Sequence, residues 1–83
     1  TTVQLLCDTS MTGVIIDRFG AGVAMRPYDD THILARAQVA VSPQFFGWLA
    51  GLSTHIRVIS PDSVVNEYQI FLQEILRSYT DMQ

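Results

Sequence analysis

The stretch from Val39 to Tyr68, VAVSPQFFGWLAGLSTHIRVISPDSVVNEY, decides the fold. Its first residues end a run of alternating apolar side chains, the pattern of a strand with one buried face. Ser42 and Pro43 interrupt that run, and proline is well placed in the first turn of a helix. The following segment predicts a helix whose apolar residues are Phe45, Phe46, Trp48, Leu49 and Leu52.

The rest of the chain extends this pattern in both directions. Upstream, alternation predicts strands over Val3–Cys7 and Val23–Met25, and a long central strand over His32–Val41. A helix between the first two strands ends near Gly20, and Pro27 marks the second strand as an edge. Downstream, Ile56 and Val58 point inward on a fourth strand, with His55, Arg57 and Ile59 outward.

The last predicted helix begins near Asp62 and carries a wide apolar stripe. The stripe consists of Val64, Val65, Tyr68, Phe71, Leu72, Ile75, Leu76 and Tyr79. The order of elements is therefore strand, helix, strand, strand, helix, strand, helix. This order predicts an α+β fold, a ferredoxin-like βαββαβ antiparallel sheet with an additional C-terminal helix, with the strands in the order four, one, three, two.

Composition limits the function. The 83 residues are expected to form one domain over 1–83, and 48% hydrophobic against 16% charged residues indicates a folded chain. A net charge of −3 argues against direct DNA binding by this segment. With one cysteine and no run long enough to cross a bilayer, we expect a reduced cytoplasmic setting without membrane association. The opening on a strand without Met suggests a piece of a longer protein.

Three segments carry a family resemblance: Trp48-Leu49-Ala50-Gly51-Leu52, then Val58-Ile59-Ser60-Pro61, then the acidic and polar helix from Asp62. Together they resemble WCX, the C-terminal extension of bacterial WYL-domain transcriptional regulators. The family often has a glycine just before the last strand, where this chain has Ser53. The resemblance implies a non-catalytic regulatory module, accompanied in the parent protein by a winged helix-turn-helix and a WYL domain that senses a ligand.

A ferredoxin-like sheet leaves one face open, and its outward positions form the predicted functional surface. Strand parity puts three of the five arginines there, and arginine can bind carboxylate or phosphate in a bidentate manner. Three interpretations remain for these arginines. They are solvated strand residues, or they form a surface for a partner domain or second subunit, or they line a pocket for an anionic effector. The candidate residues of this face are Arg26, Arg36, Arg57, Tyr28, Gln38 and His55.

Catalytic and metal chemistry is not expected, and no cofactor is predicted. Parity sends Cys7 to the core face and both histidines to the open face, so they do not converge on a metal or form a nucleophilic pair. The sequence proximity of Ser53, His55 and Asp62 lacks a nucleophile elbow. An acylphosphatase-like reaction needs an anion-cradling loop after the first strand, where Asp8-Thr9-Ser10 would repel phosphate.

The broad stripe of the last helix, with Ile70 on its polar side, is expected either to pack internally or to form a homodimer contact through Ile70, Phe71 and Tyr79. An alternative class is the ACT type of small-molecule-binding regulatory domain, which shares the strand order. The glycine-containing ligand turn usual in that class is absent after the first strand.

Overall fold

A computed structural model describes residues 1–82 and shows the predicted order of elements. The strands are β1 Thr2–Asp8, β2 Ala24–Pro27, β3 His32–Gln38 and β4 Ile56–Ser60. The helices are α1 Thr12–Phe19, α2 Pro43–Gly51 and α3 Asp62–Thr80, and short 3₁₀ turns cover Thr9–Met11 and Ser53–His55. The α+β class and the C-terminal helix are thereby confirmed.

The four strands form one antiparallel sheet in the order β2-β3-β1-β4. This is the predicted order read from the opposite edge, and it puts β1 and β3 at the centre. Pro27 lies on the outer strand β2, where a residue without a backbone N–H is tolerated because the hydrogen-bond ladder of the central strands does not need that donor. A β-bulge in the pairing of β1 with β4 lies beside Gln4 and Leu5.

The helices cover the inward side of the sheet. Val3, Leu5 and Cys7 alternate along β1 and have no exposed surface, and they pack with Phe45 and Leu49 of α2. The largest fully buried side chains of the core are Phe45, Leu5, Ile15, Leu49, Ile56, Val3 and Cys7. The sequence also predicts Trp48, Phe45, Val39, Val58 and Phe71 in the core. Phe45 and Val58 are buried, whereas Val39, Trp48 and Phe71 pack against the core with part of their surface exposed.

The start of α2 follows the predicted chemistry. The Ser42 hydroxyl accepts a hydrogen bond from the Phe45 N–H at 3.2 Å, and Pro43 occupies the first turn. At the other end, Ser53 has φ 58°, a left-handed conformation that favours glycine. The WCX family often carries glycine at this position. In this chain, Ser53 adopts the same left-handed backbone conformation with a side chain, which is less favourable than glycine there.

Several predicted strand boundaries were wrong. Strand β1 extends one residue beyond the predicted Val3–Cys7 at each end. Strand β3 ends at Gln38 rather than Val41, because its ladder with β1 ends at the pair Thr2 and Gln38. Strand β2 begins one residue later than predicted and continues through Pro27. His55 is the last residue of a 3₁₀ turn and not part of β4, since the chain is still turning after Ser53.

Helix α3 packs on the domain along its first half only. Val64 is buried, and Val65, Tyr68 and Phe71 pack against the core, with the Phe46 ring 5.3 Å from Tyr68 and 5.4 Å from Phe71. From Leu72 onward every residue of the helix is exposed. Nineteen residues make a helix about 28 Å long, and the molecule accordingly measures 44 × 25 × 21 Å.

Candidate functional site: the open face of the sheet

The outward side chains of the sheet lie in rows that run across the strands. In the middle row, Arg26 of β2 is opposite Leu34 of β3, Leu34 is opposite Leu6 of β1, and Leu6 is opposite Arg57 of β4. Two leucines therefore form an apolar centre with an arginine at each edge. Three strand spacings of about 4.8 Å put the two arginine backbones roughly 14 Å apart.

The next row holds the third arginine. Arg36 of β3 is opposite Ala24 of β2 on one side and Gln4 of β1 on the other. Beyond it, the Gln38 amide donates a hydrogen bond to the Thr2 hydroxyl at 2.8 Å. The register thus puts all three predicted arginines on one face, with Arg36 on a central strand.

A shallow depression of about 380 Å³ lies on this face. It is lined by Gln4, Ala24, Met25, Arg26, Leu34, Ala35 and Arg36. The depression brings two of the predicted arginines together and leaves out Arg57. A volume of this size falls in the range of small-molecule sites.

A third row was missed by sequence reasoning. It crosses the end of β1, where Asp8 lies between two histidines: Asp8 Oδ2 is 2.7 Å from His55 Nδ1, and Asp8 Oδ1 is 3.4 Å from His32 Nε2. Because a carboxylate only accepts, each histidine nitrogen can donate to it when protonated. Extending the predicted strand Val3–Cys7 by one residue would have put Asp8 on the outward face, where both histidines were expected.

The same end of the sheet carries the β2–β3 turn. Asp29 Oδ1 accepts a hydrogen bond from the Thr31 N–H at 2.9 Å and lies 2.9 Å from His32 Nδ1. The backbone bond from Thr31, followed by the His32 side chain, lowers the pKa of Asp29 below its ordinary value. Tyr28 precedes this turn, is 58% exposed and donates its backbone N–H to the His32 carbonyl.

The arginines of the face have no carboxylate partner. Among the described residues 1–82, every ion pair joins a histidine to Asp8 or Asp29, and none involves an arginine. Asp8 is the one acidic residue on the outward positions of the four strands. The face is therefore locally positive in a chain whose net charge is −3. By contrast, Arg18 of α1 lies over the Trp48 ring at 5.3 Å.

The core side offers no nucleophile. Cys7 is completely buried, and burial, reinforced by the charge of Asp8, raises the pKa of its thiol to about 11. A thiol in this state is a small apolar side chain and not a reactive thiolate. Within residues 1–82, no three metal-ligating side chains are grouped to hold an ion, and no helix is long and apolar enough to span a membrane.

The residues predicted at a homodimer contact lie in different surroundings. Phe71 packs on Phe46 and contributes to the domain's own core. Ile70 is 55% exposed and Tyr79 is 67% exposed. Sequence reasoning gave less weight to the end of α3, where Leu72, Ile75, Leu76 and Met82 are also exposed.

The fold and this face define a small α+β domain of ferredoxin-like topology with an added helix, a class that serves many functions. The WCX domain model matches residues 1–76, and the chain belongs to the WCX family. That family is regulatory in type and is not a known catalytic family. No curated protein and no solved structure matched the chain.

Proposed function

We propose that this domain is a non-catalytic regulatory and oligomerisation module of a WYL-type helix-turn-helix transcriptional regulator. In this role, it joins two subunits through α3 and takes part in effector sensing through the open face of the sheet. Its partners are a second copy of the chain and, in the parent protein, the WYL domain and the winged helix-turn-helix. The family match covers most of the chain and favours this function over the ACT type.

The observation that carries the proposal is the exposed apolar end of α3. The exposed residues are Leu72, Ile75, Leu76 and Tyr79, which continue the stripe that packs on the core, and Met82 in the turn after the helix. Their exposed area is on the order of 500 Å², toward the upper end of the range for the largest apolar patch on a typical monomer. It is also about the apolar share of one side of a standard dimer interface.

The two outer strands differ in what they offer a second subunit. Pro27 removes a donor from β2, whereas β4 is followed directly by α3, so a contact on the α3 side can include both elements. Ile59, in the β4 segment beside the bulge, is 40% exposed. These features support a subunit contact on the β4 and α3 side of the domain.

Effector sensing is supported by the three arginines without carboxylate partners. An exposed arginine that binds no protein carboxylate keeps its planar donors for an external anion. A face of this kind suits an anionic effector, or the surface of the neighbouring WYL domain that holds one. A buried, free Cys7 is compatible with a reducing cytoplasmic location, which we include in the proposal.

A reporter gene under control of the full-length regulator tests this function. We expect Leu76→Glu and Arg36→Ala each to reduce regulation by several fold at unchanged protein level, the first by weakening association and the second by weakening effector response. Gln73→Glu and Arg77→Ala are matched controls, because both positions are exposed on α3 and make the same change in charge. Parent-like regulation by both test variants would contradict the proposal.

A further inference from the structure

The depression on the open face exists because Ala24 is small. Ala24 is directly opposite Arg36, and its methyl group leaves the space beside the Arg36 and Arg26 side chains unfilled. A larger residue at this outward position of β2 would occupy that space. The hollow is therefore open beside Ala24 on the edge strand, and its rim carries the two positive charges of Arg26 and Arg36.

Arg26 and Arg36 are placed to act on one anionic group. Arg26 is opposite Leu34, two residues from Arg36 along β3, so the two arginines are diagonal neighbours on adjacent strands. Diagonal neighbours are about 7–8 Å apart at the backbone, within reach of each other for long side chains. Gln4, opposite Arg36 on β1, adds an amide to the same hollow.

We propose that this depression binds a small ligand that carries a phosphate or carboxylate group on an apolar body. Arg26 and Arg36 hold the anionic group, Gln4 supplies an uncharged hydrogen bond, and Leu34 contacts the apolar body. This inference rests on the proposed effector-sensing function and specifies its subsite and ligand class. It assigns no ligand contact to Arg57.

The exclusion of Arg57 follows from its place outside the depression, which Arg26 and Arg36 line and Arg57 does not. Leu34 and Leu6 separate it from Arg26 along the row, and the backbones of the two arginines are roughly 14 Å apart. Arg57 therefore contributes only a long-range field, which salt at 0.15 M screens over about 8 Å.

Backbone NMR of the 83-residue chain tests the proposal with three probes of similar shape. These are phenyl phosphate, benzoate and the neutral benzyl alcohol, titrated at constant ionic strength. We expect saturable shifts confined to β2, β3 and the Gln4 region for one or both anionic probes, and none for the alcohol. The comparison of phosphate with carboxylate identifies which anion the site prefers.

Four variants distinguish binding in the depression from nonspecific electrostatic attraction of anions to the positive face. Arg36→Gln should weaken binding of the preferred anion at least tenfold, and Arg36→Lys nearly as much because the bidentate fork is lost. Ala24→Phe should abolish binding although every arginine remains. Arg57→Gln should change the affinity by less than twofold. All three positions are exposed, so the native spectrum should persist.

Other outcomes would overturn the proposal. Equal losses of affinity in Arg57→Gln and Arg36→Gln would mean that anion binding reflects the charge of the whole face and not a site in the depression. That result would leave the proposed effector sensing by the face intact. Undiminished binding by Ala24→Phe would remove the depression as the site. Binding of an acidic peptide without binding of either small anion would show a protein-docking surface. Association through α3 is a separate property, because Leu76 is not on the sheet.

Discussion

Replacement of Trp48 by alanine tests how strongly the packing between helices α1 and α2 stabilises the domain. The ring lies edge-on to Phe19 at 5.5 Å and is stacked on Phe45 at 6.2 Å, so it joins α1 to α2. Each aromatic pair contributes about 0.5–1.5 kcal/mol beyond area burial, and a fully buried Trp→Ala change costs about 3–5 kcal/mol. Because Trp48 is only partly buried, we expect a loss of about 2–3 kcal/mol.

That loss is large for a domain of this size, whose free energy of unfolding is on the order of 4–12 kcal/mol. Urea unfolding followed by circular dichroism should show a midpoint lowered by roughly 1.5–2.5 M. Phe45→Ala, at a fully buried position, should be more destabilising, and Gln73→Ala, at an exposed polar position, should change the midpoint little. A Trp48→Ala midpoint within about 0.3 M of the parent's, or a comparable loss in Gln73→Ala, would refute this reasoning.

Two further predictions concern single residues. Ser53→Gly should raise the free energy of unfolding by about 0.5 kcal/mol in thermal melts, because a left-handed non-glycine residue costs about 1–2 kcal/mol and the extra chain entropy of glycine offsets part of the gain. Ser53→Val should lower the free energy of unfolding in the same melts, and stabilisation by valine would contradict the left-handed conformation of Ser53. The lowered pKa of Asp29 means that its bonds stabilise the fold above the ordinary value of 3.8 and that this contribution is lost as pH falls through the lower folded-state pKa. Asp29→Asn should therefore be less stable than the parent at pH 7 and close to it in strong acid, and an equal difference at both pH values in urea unfolding would exclude this linkage.

Much of the fold follows from the sequence because its alternation is clear. The inward and outward positions of β1 and β3 were predicted by parity, and the observed register puts Arg26, Arg36 and Arg57 on one face as a result. The start of α2 was predictable for a local reason, since a serine followed by proline forms a helix cap without help from tertiary contacts. Boundaries such as the end of β3 depend on where the partner strand ends.

The candidate site was less predictable, because it depends on register across strands. That Ala24 is opposite Arg36 cannot be read from either segment alone, and the depression follows from this pairing. The Asp8 bridge between His32 and His55 likewise needs β1 and β3 in register and the turn before β4 beside them. The stripe of α3 was visible in sequence, but how far the helix extends beyond the sheet is a property of the packed domain.

Sedimentation equilibrium of the 83-residue chain tests the central claim most directly, that the exposed end of α3 joins two subunits. We expect a dimer at micromolar concentration, and a dissociation constant raised at least tenfold in Leu76→Glu and by a smaller factor in Ile70→Glu, since each places a charge at an apolar position. Gln73→Glu adds one negative charge at an exposed polar position of the same helix and should leave the dimer intact. A monomer at the highest attainable concentration, or equal weakening by Leu76→Glu and Gln73→Glu, would contradict the account.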